Sequence, residues 1–287
     1  MNKKYFNITI ESIGLFLLVS IAWIIGAREL FSTLTNFTSQ WYWFVLATVY
    51  TVTLSELFAH RICCHRHYLV DVNKPVFKVL VFLHAVDHGW GTLRSMCLMH
   101  LNHHMYSDQG KMDHLNPRHQ WYGTALLSPF TFIYREPVIF PNLEKFYRKE
   151  GERFKEILDD EWVFFCEEFR VILTITYWGL LYLIAPIFLF KVVLMGRFLM
   201  SIFTAMGTIG GHTNFPFSYR NFNTRDNSHN SLIFHYFALG TNGTMLQNNH
   251  HGRPKSMNHA HRWFEIDTGY YIMKALRPFL EKKRLDK

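Results

Sequence analysis

Four long apolar stretches stand out in the pattern of hydrophobic and polar positions along the chain. The clearest, 171–190, contains no charged side chain. A helix of about 20 residues rises roughly 30 Å, which matches the hydrocarbon thickness of a bilayer. The other three stretches have similar lengths, so the pattern predicts transmembrane helices at 8–25, 41–59, 171–190 and 192–211.

The few charged residues in or beside these stretches stand near their ends. Glu11 and Glu56 lie near ends of the first and second stretches, while Lys191 separates the third from the fourth and Arg197 follows it closely. Long cationic side chains at such positions reach the membrane surface. The short connection at Lys191 predicts a tight hairpin, and the first two stretches predict another.

The first stretch has a second interpretation as a cleaved signal peptide, because Lys3 and Lys4 precede its apolar core. However, Ile25-Gly26-Ala27 is a poor match to a small-residue cleavage site. We therefore interpret the stretch as a transmembrane helix.

Composition and charge support a membrane location and suggest an orientation. The chain is 49% hydrophobic and only 18% charged, with 17% aromatic residues that suit a membrane interface. Most Lys and Arg lie outside the apolar stretches, and the four Cys show no extracellular disulfide spacing. By the positive-inside tendency, the N-terminus, 60–170 and 212–287 face the cytosol.

These patterns predict an all-α integral membrane protein. A single domain over 1–287 has four transmembrane helices arranged as two hairpins, with a helical cytosolic cap formed by 60–170 and 212–287. The expected location is a bacterial inner membrane or the endoplasmic reticulum. The net charge of +8 is better explained by lipid headgroups or a phosphate-bearing substrate than by nucleic acid, for which the chain has no motif.

Histidines are unusually frequent, and many follow directly after the predicted spans. The chain has 17 His. We name three motifs: the first is His60-x4-His65, the second is His100-x-x-His103-His104 and the third is Gln247-x-x-His250-His251. The candidate metal ligands in and between these motifs are His60, His65, His100, His103, His104, His212, His250 and His251.

Helical geometry explains why these spacings suit metal binding. Positions i, i+3 and i+4 share one face of an α-helix, so the second and third motifs each present three side chains together. His60 and His65 are about 140° apart around an α-helix, so they either serve different metals or lie where the helix ends. Neutral imidazole is a good ligand for iron, copper or zinc.

The number of imidazoles favours two metal ions, because eight exceed the ligand set of one zinc. Histidines at a membrane surface without a metal are the alternative. His84 and His88 form either a metal pair or ordinary hydrogen-bonded side chains, and we favour the second interpretation. The other histidines are expected around the ligands or on the surface; they are His67, His114, His119, His229, His235, His259 and His261.

From about Glu56 to the C-terminus, the chain resembles the membrane fatty acid desaturases of the stearoyl-CoA desaturase type. The resemblance lies in His60-Arg61-x-x-x-His65-Arg66, His100-x-x-His103-His104, Gly211-His212, Tyr219-Arg220, Arg225-Asp226-Asn227 and Asn249-His250-His251. It implies that the eight candidate histidines bind two iron ions. It also implies O2-dependent desaturation of a fatty acyl chain carried by CoA, a carrier protein or a lipid.

Two positions depart from the family pattern. Gln247 stands where many members have His, and Thr208 stands where the acyl-CoA branch has an Asn that reaches a metal through water. Front-end desaturases also have Gln in the third motif, but the His-Pro-Gly-Gly motif of their fused cytochrome b5 domain is absent here. An amide oxygen is a weaker ligand than imidazole, so we treat Gln247 as a possible ligand of a more open iron.

The resemblance also implies an external electron donor: cytochrome b5, a ferredoxin or a rubredoxin. Candidates for contacts to the substrate head group are Arg61, Arg66, Lys74 and Arg94. Glu56 lies one helical turn before His60 and is a candidate to orient it. A membrane hydroxylase of the alkane monooxygenase kind is the nearest alternative, and a metal transporter is a more distant one.

Overall fold

The computed structural model describes residues 10–87, 92–110, 113, 116, 154–237 and 242–282. This part is mostly helical. The predicted span start at residue 8, and His88, His114 and His119, lie outside the described residues. The elements are α1 (Ile10–Thr35), α2 (Phe37–Val52), the π-helix π1 (Thr53–Cys64), α3 (Pro75–Asp87), α4 (Leu93–Tyr106), α5 (Lys155–Leu158), α6 (Glu161–Glu168), α7 (Arg170–Ile184), α8 (Pro186–Phe188), π2 (Leu189–Leu194), α9 (Met195–Ala205), π3 (Met206–Gly210), β1 (Ser218–Tyr219), β2 (Asn230–Ser231), α10 (Leu232–Phe237), α11 (Gln247–Gly252) and α12 (Thr268–Leu280).

Within the described residues, three helices are long and apolar enough to cross a membrane. They cover Ile13–Thr35, Phe37–Cys64 and Pro186–Gly210. Large apolar side chains on their outer faces are exposed, for example Ile24 at 66%. Such exposure suits contact with lipid, so the structure indicates a helical membrane protein.

The third predicted stretch folds differently from the prediction. Its helix α7 ends at Ile184, and the next helix begins at Pro186. The residue before a proline is disfavoured in the α-helical region, and Ala185 accordingly has φ −149°. The boundary predicted at Lys191 is therefore wrong, because the proline fixes the break five residues earlier.

Lys191 instead lies inside the helix that follows, within π2. Its ammonium forms an ion pair with the Glu29 carboxylate at 2.9 Å and donates to the Gln40 side-chain oxygen at 3.0 Å. These contacts connect α1 and α2 to the helix Pro186–Gly210.

Small residues allow the apolar helices to pack closely. A Cβ atom added at Gly26 on α1 would overlap the backbone carbonyl oxygen of Leu194. One added at Gly196 on α9 would overlap the Thr51 hydroxyl on α2. Close backbone approach of this kind is typical of helix contacts in membranes.

The helices that carry the first and second motifs, π1 and α4, share one hydrophobic core with α3 and α12. Phe58 of π1 packs edge to face against Phe77 of α3, with ring centroids 5.8 Å apart. Leu93 of α4, Phe154 and Met273 of α12 belong to the same buried cluster. This core fixes π1 against α4 and so sets the relative position of their histidines.

Candidate metal centre

The first motif lies at the end of π1, and this helix type explains its five-residue spacing. In a π-helix an N–H group bonds to the carbonyl five residues earlier. The backbone N–H of His65 donates to the His60 carbonyl in this way, at 3.0 Å. His65 follows directly after the helix ends at Cys64. Both histidines belong to one cluster of potential ligands. Of the two alternatives for their spacing, the structure therefore fits the helix end.

The second motif lies on α4, whose N-terminus is closed by a capping box between Thr92 and Ser95. Its three histidines share one face, as the spacing predicts. The His100 and His104 ring centroids are 4.6 Å apart, whereas His103 is 6.0 Å from His100 and 5.8 Å from His104. The motif therefore contributes to two neighbouring groups of ligands.

All eight candidate histidines come together in two clusters. In each cluster the potential ligand atoms lie within 4.8 Å of one another. The five-histidine cluster consists of His60, His65, His100, His104 and His250, and the three-histidine cluster consists of His103, His212 and His251.

The Nε2 atoms of the five-histidine cluster have the spacing that a single metal ion requires. The Nε2 atom of His65 is 2.7 Å from that of His100, and the Nε2 atom of His250 is 2.8 Å from that of His104 and 3.2 Å from that of His60. Two nitrogens bound at right angles, with metal–nitrogen bonds of roughly 2.1 Å, are about 3.0 Å apart. The residues present therefore fit a metal ion.

Burial favours the neutral form of several of the clustered imidazoles, which is the form that binds metal. Burial, together with the neighbouring imidazoles, lowers the pKa values of His65, His100, His104 and His250 well below the usual range. In the three-histidine cluster, burial lowers the pKa of His251 to about 4.

A carboxylate orients each imidazole of the three-histidine cluster. In every case the Nδ1 atom contacts the carboxylate, which leaves Nε2 to face the metal position. The pairs are His103 with Asp113 at 2.9 Å, His212 with Asp108 at 3.2 Å and His251 with Asp226 at 2.7 Å. The Nε2 atom of His251 is buried and has no hydrogen-bond partner among the described residues, as expected for a metal ligand.

These three aspartates are functional residues that the sequence interpretation missed. Asp226 belongs to the segment Arg225-Asp226-Asn227 that carries part of the family resemblance, but the sequence alone does not indicate its contact with His251. The Asp226 carboxylate accepts hydrogen bonds from the Thr224 hydroxyl at 2.6 Å and the Ser228 N–H at 3.0 Å. Burial alone would raise its pKa, but the hydrogen bonds from the His251 ring and from the Ser228 and Thr224 hydroxyls lower it. For Asp108 and Asp113, the signal in the sequence was their position shortly after the second motif.

Two ligands of the five-histidine cluster have partners of their own. The His60 Nδ1 atom is 2.8 Å from the Glu56 carboxylate, as expected from the sequence. His250 Nδ1 is 3.3 Å from the Nε2 atom of His259, whose backbone N–H donates to the Asp267 carboxylate at 2.8 Å. His259 thus lies beside a ligand and is deeply buried.

Arg61 connects these partners and does not contact a substrate head group. Its guanidinium is completely buried, and it donates to the Asp267 carboxylate at 2.9 Å and to the Glu56 carboxylate at 3.1 Å. The head-group role expected for Arg61 is therefore wrong, because the side chain has no exposed surface. Arg66 lies 3.5 Å from the Glu156 carboxylate, so it also has a protein partner.

Other histidines have ordinary protein contacts. The His84 ring lies against Phe58, with centroids 6.3 Å apart, and the His235 ring accepts the backbone N–H of Ile266 at 3.3 Å. The His67 ring stacks on that of His65, with centroids 5.8 Å apart. The four cysteines are free and buried, as their spacing indicated.

A mostly apolar cavity of about 120 Å³ adjoins both clusters. His60 and His100 border it from the five-histidine cluster, and His103 and His212 border it from the three-histidine cluster. Its other walls come from the apolar helices and the third motif, including Val52, Ser55, Met96, Met200, Phe203, Thr204, Thr208 and Gln247. The cavity therefore brings apolar surface of the candidate membrane helices to the histidines of both clusters.

The amide of Gln247 is held by the backbone, because its nitrogen donates to the Thr244 carbonyl at 3.0 Å.

Comparison of the sequence with models of protein families and with curated proteins finds no match. The functional conclusion consequently rests on the geometry of the site and on the motifs.

Proposed function

We propose that the chain is a membrane fatty acid desaturase with a di-iron centre. The observation that carries the proposal is the convergence of eight histidines into two adjacent clusters beside an apolar cavity. These ligands come from segments as far apart as 190 residues, such as His60 and His250. An all-imidazole ligand set suits iron, and an apolar cavity suits a hydrocarbon chain.

A bound pair of iron ions, supplied with O2 and two electrons, provides the oxidising power that removal of hydrogens from unactivated methylene groups requires. The protein would position the ions and the acyl chain. Neutral imidazoles hold the ions, and the carboxylates at their Nδ1 atoms keep the rings from rotating. Apolar walls that include Met96, Met200 and Phe203 exclude water and align an acyl chain with the clusters.

We further propose that α7 is a fourth span, so that two hairpins place the histidines on the cytosolic side. With 15 residues, α7 is shorter than the other three candidates, but its side chains are largely exposed and apolar, such as Leu183 at 77%. The electrons come from a separate protein of the cytochrome b5, ferredoxin or rubredoxin kind, and the acyl group is carried by CoA, a carrier protein or a lipid.

Fatty acid analysis by mass spectrometry in a desaturase-deficient host tests the proposal. We expect new acyl chains that are lighter by two hydrogens, and we expect none with His103→Ala. Hydroxylated chains would identify a membrane hydroxylase instead. Unchanged lipids, together with metal flux through the purified protein in liposomes, would identify a transporter.

A further inference from the structure

The two histidine clusters offer different numbers of nitrogen ligands to a metal. One contributes five imidazoles and the other three. Because first-row metal ions bind four to six ligands, five imidazoles nearly complete a coordination sphere, whereas three leave one to three positions open. In this chain the third motif begins with Gln247 and not with a third imidazole.

The three-histidine cluster is nevertheless a built site. Each of its imidazoles is fixed by an aspartate, and the His251 Nε2 atom is buried without a partner among the described residues. These features point to a metal that the cluster is prepared to bind. They do not add a fourth strong ligand.

Gln247 does not supply that fourth strong ligand. Its amide nitrogen donates to the Thr244 carbonyl, and its side-chain carbons pack so closely on Gly211 that a Cβ atom there would overlap them. An amide oxygen is also a weaker ligand than an imidazole nitrogen. His103, His212 and Gln247 all border the cavity, so a small ligand in the cavity would lie beside this cluster.

We infer that the clusters are unequal sites: the five-histidine cluster retains its ion, whereas the three-histidine cluster binds a second ion weakly and exchangeably, with open positions that take a small anion from the cavity. This inference rests on the proposed di-iron function and deepens it. It assigns binding of exogenous small ligands to one of the two ions. It also predicts that an imidazole at position 247 would hold the second ion more firmly than the native amide does.

Titration of the metal-free full-length protein with Co²⁺ tests the inference. We expect one Co²⁺ per chain to remain after dialysis against a moderate chelator, and a second to bind only at higher concentration. Azide should change the visible absorption spectrum of the two-cobalt protein and leave that of the one-cobalt protein unchanged. Two ions retained equally, or azide binding to the one-cobalt protein, would overturn the inference without affecting the proposed function.

Variants distinguish the two sites. Gln247→His should tighten the second ion by about tenfold or more, because it adds an imidazole beside the cluster. Gln247→Leu should leave both affinities unchanged, and loss of the second ion in this variant would show that Gln247 is a ligand after all. His251→Ala should abolish the second ion alone, with the retained first ion reporting a folded chain. A wild-type protein that binds no Co²⁺ would instead overturn the proposed di-metal function.

Discussion

A single carboxylate, Glu56, connects a metal ligand to the protein around it. It contacts the His60 imidazole at 2.8 Å and the Arg61 guanidinium at 3.1 Å, and all three side chains are buried. Groups that orient a ligand imidazole typically contribute a factor of about 10 to 100 in metal affinity.

We therefore expect Glu56→Gln to weaken metal binding at the five-histidine cluster by about 10-fold or more. Metal content after equilibration with a graded series of chelators measures the change. Glu281→Gln is the matched control, because Glu281 forms a partly exposed ion pair with Arg277, remote in sequence from the motifs. Equal metal retention in both variants would show that Glu56 does not orient His60.

Arg61 gives a prediction about stability, because it is a completely buried cation between two carboxylates. Removing one partner of a buried ion pair leaves an uncompensated charge and typically costs about 3–5 kcal/mol. We expect Arg61→Met to lower the free energy of unfolding by this amount, measured by denaturation in detergent. Lys282→Met, which removes an exposed pair with Glu156, should cost only about 0–1 kcal/mol. Similar losses in the two variants would contradict the prediction.

At this scale the sequence predicted the histidines better than their partners. The three motifs identified seven of the eight histidines that the structure brings together, because ligand spacing along a helix is a local property, and the position of His212 after the fourth predicted stretch identified the eighth. Asp108 and Asp113 were missed, since an aspartate in a loop has no periodic pattern and its contact depends on how the chain returns. Arg61 was misinterpreted because burial of a cation is decided by distant carboxylates such as Asp267, which is 206 residues away.

The apolar pattern predicted which segments form long helices better than it predicted where those helices begin and end. Length and hydropathy are properties of one segment, so three of the four predicted stretches correspond to helices able to cross a membrane. The break at Ala185 depended on one residue, Pro186, which has no N–H group and restricts the residue before it. The π-helical form of the first motif was not predicted, because local sequence carries little information about i to i+5 bonding.

The contact between α1 and the helix Pro186–Gly210 leads to a prediction at the element scale. Gly26→Ala should destabilise the protein by about 1–3 kcal/mol, because the added methyl group overlaps backbone and the helices must separate. Gly179→Ala on α7 is the matched control, since a Cβ atom there meets nothing within 4 Å. This control should be neutral or slightly stabilising, as Ala favours helix by roughly 1 kcal/mol. Thermal unfolding in detergent compares them, and a greater loss for Gly179→Ala would refute the packing argument.

For the whole molecule, the candidate metal centre is where distant parts of the chain meet. His65 and His100 are 35 residues apart, and His104 and His250 are 146 residues apart. The spans are apolar enough to remain helical in lipid, whereas the short helix that carries the third motif, α11, depends on these contacts. We expect chelation to leave helical circular dichroism largely intact while it makes the cap more sensitive to proteases.

Limited proteolysis of the protein with and without chelator measures this effect. His251→Ala serves as the comparison, because it removes one ligand of the three-histidine cluster and leaves the five-histidine cluster intact. Its cap should show intermediate protection. A cap equally resistant with and without metal would contradict the expectation.

An ion bound by five imidazoles also acts as a cross-link with a thermodynamic value of its own. Such an ion would link the three segments that carry the first motif, the second motif and His250. In an unfolded chain these segments move independently of one another. The entropic cost of closing such loops grows only slowly with their length, by about 0.6 kcal/mol for each doubling, so even the long connection to His250 closes at moderate cost. Metal supply in the cell then governs how much folded protein accumulates, because binding free energy at such a site is folding free energy.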